Sequence, residues 1–188
     1  IERAKAIRDM KVAQKMPVAW EMDKTKNDTF NFKGYDYAYV NSEVSGLPRL
    51  KYFRDKPVTW KVPYYGYANA TTMVDVPTSY ILPQAYYKVV ERMKMNGVKM
   101  VKIGQDTVIK GQAYKIIKTE SIKNPYESHF GHYNTQVEPI EVTKQFLKGD
   151  YIIPTDQRAK RYIVETLEPQ ATDSYFNWNF FDGILNRK

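Results

Sequence analysis

His129 and His132 are the two imidazoles in a chain of 188 residues, and their H-x-x-H spacing is the first place to look for chemistry. Both rings can reach one ion from an irregular loop, but a zinc site needs a third ligand and a fourth position filled. Glu127 is the nearest carboxylate in sequence. Neither H-E-x-x-H nor H-x-x-E occurs. Loop or packing histidines are therefore the plain reading. A cryptic hydrolase is the sharper one, and it expects both imidazoles to meet in a pocket with a third ligand. No G-x-S-x-G elbow, P-loop or G-x-G-x-x-G fingerprint is present. Ser, His and Asp all occur, but no motif positions them as a nucleophilic triad. Asp150 with Asp156, or Glu165 with Glu168, can be paired as acid and base, although carboxylates beside helices commonly cap them or face water. With no cysteine, disulfides, thiolate zinc sites and cysteine nucleophiles are excluded.

The aromatic content is the second signal. There are 16 tyrosines, and Tyr64-Tyr65-Gly66-Tyr67 forms a dense cluster at the end of a strand pattern. Exposed rings stack on sugars and build protein interfaces, whereas tyrosine also simply suits half-buried strands. Tyr64, Tyr65, Tyr67, His129 and His132 are the candidate binding surface, with no catalytic and no metal-ligating residue assigned.

Charge points to no polyanionic partner. Lys plus Arg is 29, Asp plus Glu is 21, and the net charge is +8. The basic residues are scattered, and the densest group (Arg3, Lys5, Arg8, Lys11, Lys15) lies in an opening helix-like run that reads as a solvated face or linker. No nucleic-acid motif accompanies it. No run approaches the ~18 apolar residues of a membrane span.

The elements that would position these residues are mostly strands. Residues 1–15 read as a weakly amphipathic helix closed by Pro17. In 29–40, Phe30 and Phe32 alternate with polar residues, then the phase flips after Gly34 to Tyr35, Tyr37 and Tyr39, which marks a β-bulge. Val58, Trp60, Val62 and Tyr64 share one strand face, and Thr72, Val74 and Val76 another. Ser79–Leu82 is a short strand, Pro83 opens a helix whose inner face holds Val89, Val90 and Met93, Gly97 caps it, and 98–103 is the next strand, parallel to the first. Strands follow over Thr107–Lys118 and Tyr133–Val142, the second broken by Pro139, with a polar and aromatic loop between them. Tyr151-Ile152-Ile153-Pro154 repeats the device of Tyr80-Ile81-Leu82-Pro83, with Ala159, Ile163 and Leu167 on one face of the helix after it, which Pro169 ends. Asp173 or Ser174 caps a last helix, in which Phe176, Trp178, Phe180, Phe181, Ile184 and Leu185 form an apolar arc with Asn177 inside it.

Several stretches resemble the region that follows the catalytic domain in bacterial carboxypeptidase A-like zinc metallopeptidases. They are Phe30-Asn31-Phe32-Lys33-Gly34-Tyr35 with Ser42-Glu43-Val44-Ser45-Gly46, Lys56-Pro57-Val58 leading to Val62-Pro63-Tyr64-Tyr65, Tyr80-Ile81-Leu82-Pro83-Gln84 with Val90-Glu91-Arg92 and Asn96-Gly97-Val98, and above all the tail. The tail runs Glu165-Thr166-Leu167-Glu168-Pro169, then Asp173-Ser174-Tyr175-Phe176-Asn177-Trp178-Asn179-Phe180-Phe181-Asp182. The similarity extends from about Pro17 onward. That family's zinc ligands and general-base Glu have no counterpart here, and His129 and His132 do not fit their pattern. The resemblance implies that the chemistry, with its zinc, lies in a preceding catalytic domain, that the parent removes C-terminal residues by zinc-activated water, and that it is secreted or periplasmic.

The expectation is thus an α+β fold, mainly antiparallel β sheet or sandwich, with two strand–helix units and a packed C-terminal helix. Residues 1–16 would be a linker or helix from a preceding domain, and 17–188 one accessory β-rich domain. The implied role is a non-catalytic accessory module, without a cofactor of its own, whose partner is the catalytic domain of the same polypeptide, with peptide or glycan as further partners. The alternative is an independent glycan- or surface-binding module using exposed aromatics.

Overall fold

The computed structural model describes residues 15–185. The expected opening helix lies outside them except for Lys15. The order is β1 (Lys15–Met22), β2 (Asp28–Asn41), β3 (Pro48–Tyr64), β4 (Ala68–Asp75), β5 (Ser79–Leu82), α1 (Tyr87–Met95), β6 (Val101–Lys102), β7 (Thr107–Ser121), β8 (His132–Phe146), β9 (Tyr151–Pro154), α2 (Lys160–Leu167) and a 3₁₀ turn at Asp182–Ile184. The fold is α+β, built mainly of antiparallel sheet: β1 pairs with β4, β2 with β3, β7 with β8, and β9 lies between β5 and β6. The chain divides into two compact units, Glu21–Asn69 and the remainder.

In the larger unit the two similar segments turn out to be neighbours. Tyr80 pairs with Ile153, Ile81 with Ile152 and Leu82 with Tyr151. Both β5 and β6 run antiparallel to β9, so the strands joined by α1 are parallel, as the pattern predicts, with β9 between them. Strand β6 is only two residues long because Val98 and Ile103, at the ends of the expected strand, go into the core instead. Helix α1 ends where Gly97 takes φ 73°, with the Val98 N–H donating to Met93 O and the Gly97 N–H to Lys94 O, both at 3.0 Å. This is a Schellman cap, which a residue without Cβ adopts at little cost. Helix α2 stops at Glu168, whose extended backbone is what a residue before proline prefers. Leu82, Val89, Val90, Met93, Ile153 and Ile163 form one core cluster. Met16, Val18, Val74, Val76, Val164 and Ala171 form a second, and Tyr80 packs against both.

Three expectations need correction. Lys15 and Met16 belong to β1, and Pro17 lies inside that strand: Met16 and Val18 alternate into the core, and a strand in a two-stranded sheet tolerates a missing N–H on its open side. Pro139 likewise sits within β8, opposite Tyr114, without breaking it. The tail after Pro169 is a succession of turns, not a helix. Its Ser and Asn side chains bond backbone and so compete with helical bonding: the Asn177 N–H donates to Ser174 Oγ at 3.1 Å, Asn177 Nδ2 donates to Ala171 O at 2.8 Å, and Asn179 takes φ 64°. The tail is nonetheless packed. Tyr175 and Phe176 are buried, each worth roughly 1.5–3 kcal/mol of apolar burial, and Phe181 meets Tyr86 edge-on at 4.8 Å.

The smaller unit holds a long two-stranded ribbon, β2–β3. Its bulge falls between Tyr35 and Tyr37, just past Gly34. Gly34 still sits in regular register opposite Val58, where a Cβ would lie 2.9 Å from the Phe32 ring and 3.0 Å from Trp60. The glycine lets these two rings stack across the strands, 6.0 Å apart and 11° from parallel.

Candidate functional site

Strand alternation gives the β2–β3 ribbon one aromatic face. Phe30 opposes Val62, Phe32 opposes Trp60, and beyond the bulge Tyr37 opposes Tyr52 and Tyr39 opposes Leu50. The other face carries Asn31, Lys33, Lys51, Thr59 and Lys61. Phe30, Phe32, Tyr37, Tyr39 and Tyr52 are exposed, Tyr39 at 72%. At the end of β3 the predicted cluster is exposed too: Tyr64 at 59%, Tyr65 at 40% and Tyr67 at 45%. The Tyr67 hydroxyl donates to Asp28 Oδ2 at 3.1 Å, and the nearby carboxylate raises the phenol's pKa. The Tyr64 ring lies where a Cβ on Gly66 would be, 2.6 Å away. The candidate tyrosines therefore form a surface, and the face beside them is one that sequence alternation displays once the bulge is placed.

The two histidines line one cavity of about 240 Å³ in the larger unit, but their surroundings differ. His129 closes a tight turn in which it and Tyr126 exchange backbone hydrogen bonds at 2.9 Å, with Glu127 and Ser128 both at positive φ, as a type I′ turn requires. Its ring packs edge-on to Trp178 at 5.4 Å and beside Phe180 at 6.0 Å. Glu127 sits exposed at the turn.

His132, at the start of β8, is buried opposite Ser121. Its Nδ1 is 2.8 Å from Ser121 Oγ and its Nε2 is 2.9 Å from Asp182 Oδ1. A carboxylate only accepts, so Nε2 donates to Asp182, while Nδ1 shares a hydrogen bond with the Ser121 hydroxyl. Asn179 Nδ2 donates to Phe130 O at 3.1 Å, and the ring lies 4.9 Å from Phe176. Both imidazole nitrogens are thus engaged in tying the tail to the β7–β8 hairpin. No group of three His, Asp or Glu able to hold a metal occurs among the described residues. The Asn177 and Asn179 Oδ1 atoms are buried without a hydrogen-bond partner among the described residues. For Asn177, read from the sequence as an isolated polar residue in an apolar arc, the partner found is for Nδ2 alone.

The carboxylates also separate. Asp150 accepts from the Gln84 and Leu147 N–H groups, both at 2.9 Å, and so fastens the turn before β9. Glu165 pairs with Arg161 at 2.7 Å on an exposed helix turn. Glu168 is 2% exposed and accepts from the Tyr80 hydroxyl at 2.5 Å. Burial pushes its pKa up, against the hydrogen bonds from Tyr80 and Tyr114, and burial beside it pushes both phenols up. Sequence reasoning missed this trio, and it missed Ser121 and Asp182 around His132. Tyr80 meets Glu168 across 88 positions and Asp182 meets His132 across 50, where no spacing rule reaches, whereas Ser121 faces His132 from 11 positions away across the hairpin. The one available hint was Glu168 before Pro169, an ionisable residue at a helix end.

No family model, curated protein or solved structure matches the chain.

Proposed function

We propose that this chain is a non-catalytic accessory module of a zinc metallocarboxypeptidase-like protein, held to the catalytic domain of the same polypeptide by the aromatic face of the β2–β3 ribbon. That face is the observation that carries the reading. A lone two-stranded ribbon is marginal in water, and each ring left exposed forgoes roughly 1.5–3 kcal/mol of burial, which a partner surface supplies. The resemblance supplies the identity of the partner and an exported location. The tail residues that carry the resemblance do structural work here: Glu168 holds Tyr80, Ser174 caps a turn, and Asp182 holds His132. Such uses fit a folded companion.

The test mixes the purified chain with a zinc-peptidase domain from the same polypeptide. Association is expected in sedimentation, weakened at least tenfold by Phe32→Ser with Trp60→Ser. Absence of association overturns the docking, and removal of C-terminal residues from peptides by the chain alone overturns the non-catalytic role.

The exposure of Tyr64, Tyr65 and Tyr67 favours a second reading, glycan binding by ring stacking. It expects retention on a polysaccharide gel that Tyr64→Ala with Tyr65→Ala abolishes.

A further inference from the structure

A second cavity, about 520 Å³, lies elsewhere in the larger unit. Strand β5 forms one wall, with Ser79, Tyr80 and Ile81. The floor is formed by the β7–β8 hairpin, where Ile109 and Gly111 on β7 face Lys144 and Val142 on β8, with Ala113 and Phe146 beyond them. Glu168, with the Tyr80 and Tyr114 hydroxyls bound to it, closes one end.

Strand β5 is the edge of its sheet. The Thr155 N–H donates to Thr78 O at 3.0 Å, and on the far side of β9 the Ile103 N–H donates to Asp150 O at 2.8 Å. Antiparallel pairs alternate, so Tyr80 and Leu82 turn their backbone groups toward β9, while Ser79 and Ile81 turn theirs to the open edge. Among the described residues those outward groups have no hydrogen-bond partner, and both residues are half-buried. Half-buried, unpaired peptide groups on a cavity wall are a template for another strand. Beneath them the floor is lowered: a Cβ on Gly111 would meet nothing within 4 Å. A glycine inside a strand often marks a bulge, a bend or a place where a ligand or another backbone comes close, and Gly111 lies in regular register opposite Val142, which leaves the last. Lys144, on the β8 side, holds its Nζ 5.8 Å from the centroid of the Phe146 ring and has no ion pair among the described residues.

We propose that this groove binds an extended peptide, which adds as a strand to the open edge of β5, lays an apolar side chain over Gly111 and places an acidic group beside Lys144. Main-chain bonds to Ser79 and Ile81 give the affinity and the floor gives the selectivity, as in strand addition generally. Four residues of β5 span about 13 Å, room for a short segment only. This goes beyond docking through the ribbon and requires no catalytic domain.

The test pans a displayed random peptide library on the purified chain, with counter-selection on Gly111→Val, which fills the open space above the floor. Recovered peptides should be rich in apolar residues next to Asp or Glu. They should slow amide exchange at Ser79 and Ile81 at least tenfold, and lose at least tenfold in affinity on Gly111→Val or Lys144→Glu. Proline at position 81 removes one outward N–H while sparing the side facing β9, so Ile81→Pro should also weaken binding. Failure to enrich any peptide over Gly111→Val, or enriched peptides that leave both amides unprotected, overturns the proposal. So does concentration-dependent dimerisation lost in Ile81→Pro, which would make the occupant a second copy of the chain.

Discussion

The Tyr80 hydroxyl donates to Glu168 Oε1 at 2.5 Å across 88 positions of sequence. This bond joins the edge strand β5 to the end of α2 and sets a buried carboxylate at the end of the groove.

Its acid–base consequence is a loss of stability with rising pH. Burial raises Glu168 above its ordinary 4.5. The native state therefore keeps this proton at pH values where the unfolded chain has released it, and stability falls as pH rises from about 4.5 through the raised folded value. Urea denaturation across that range should show the decline, and Glu168→Gln should flatten it. Glu168→Ala should cost about 1–3 kcal/mol by leaving buried hydroxyls without an acceptor. A Glu168→Gln profile parallel to that of the parent would refute the assignment.

His132 should behave as a tail clamp. His132→Ala removes hydrogen bonds to Ser121 and Asp182 and the contact with Phe176, and is expected to cost about 2–4 kcal/mol, the sum of a buried network and lost packing. Asp182→Asn keeps the size and should cost only about 1 kcal/mol. Fluorescence of Trp178, beside His129 in the same cavity, would report release of the tail in denaturant titrations.

Two glycines should respond in opposite ways. Gly111→Val places a β-branched residue in open space on a strand and should stabilise by about 0.5–1 kcal/mol. Gly34→Ala puts a methyl into the Phe32 and Trp60 rings, so it should displace the stacked pair, change the near-ultraviolet dichroism and gain no stability. Thermal melts of the two variants side by side check this.

The buried hydroxyl of Thr155 is a third probe of β5. It donates to Pro77 O at 2.5 Å and to Thr78 O at 3.1 Å with its side chain fully enclosed. Thr155→Val keeps the shape and should cost about 1–2 kcal/mol. It should also speed amide exchange in β5 more than in α1.

Much of the fold was legible because its signals are local. Alternation placed β2, β3 and β4, and the phase slip at Gly34 placed the bulge to within two residues. Gly97 and Pro169 ended α1 and α2 as their backbone preferences require. The tail was misread because the period of its aromatic residues is helical, whereas Ser174, Asn177 and Asn179 turn the backbone with their own side chains. The site was less legible. Tyr64, Tyr65 and Tyr67 could be seen as a cluster, but the groove depends on which strand lies at an edge. That is set by β9 arriving between β5 and β6 from some 70 positions beyond the first and some 50 beyond the second, and no short window along the chain contains them together.

That interleaving has a consequence during synthesis. Because β9 is the middle strand of its sheet, a nascent chain that has emerged only as far as Lys148 holds β5 and β6 without the strand that pairs with both. About 70 further residues must leave the ribosome after β5 before this sheet can close, and chaperones that shield unpaired strands would meet it throughout that delay.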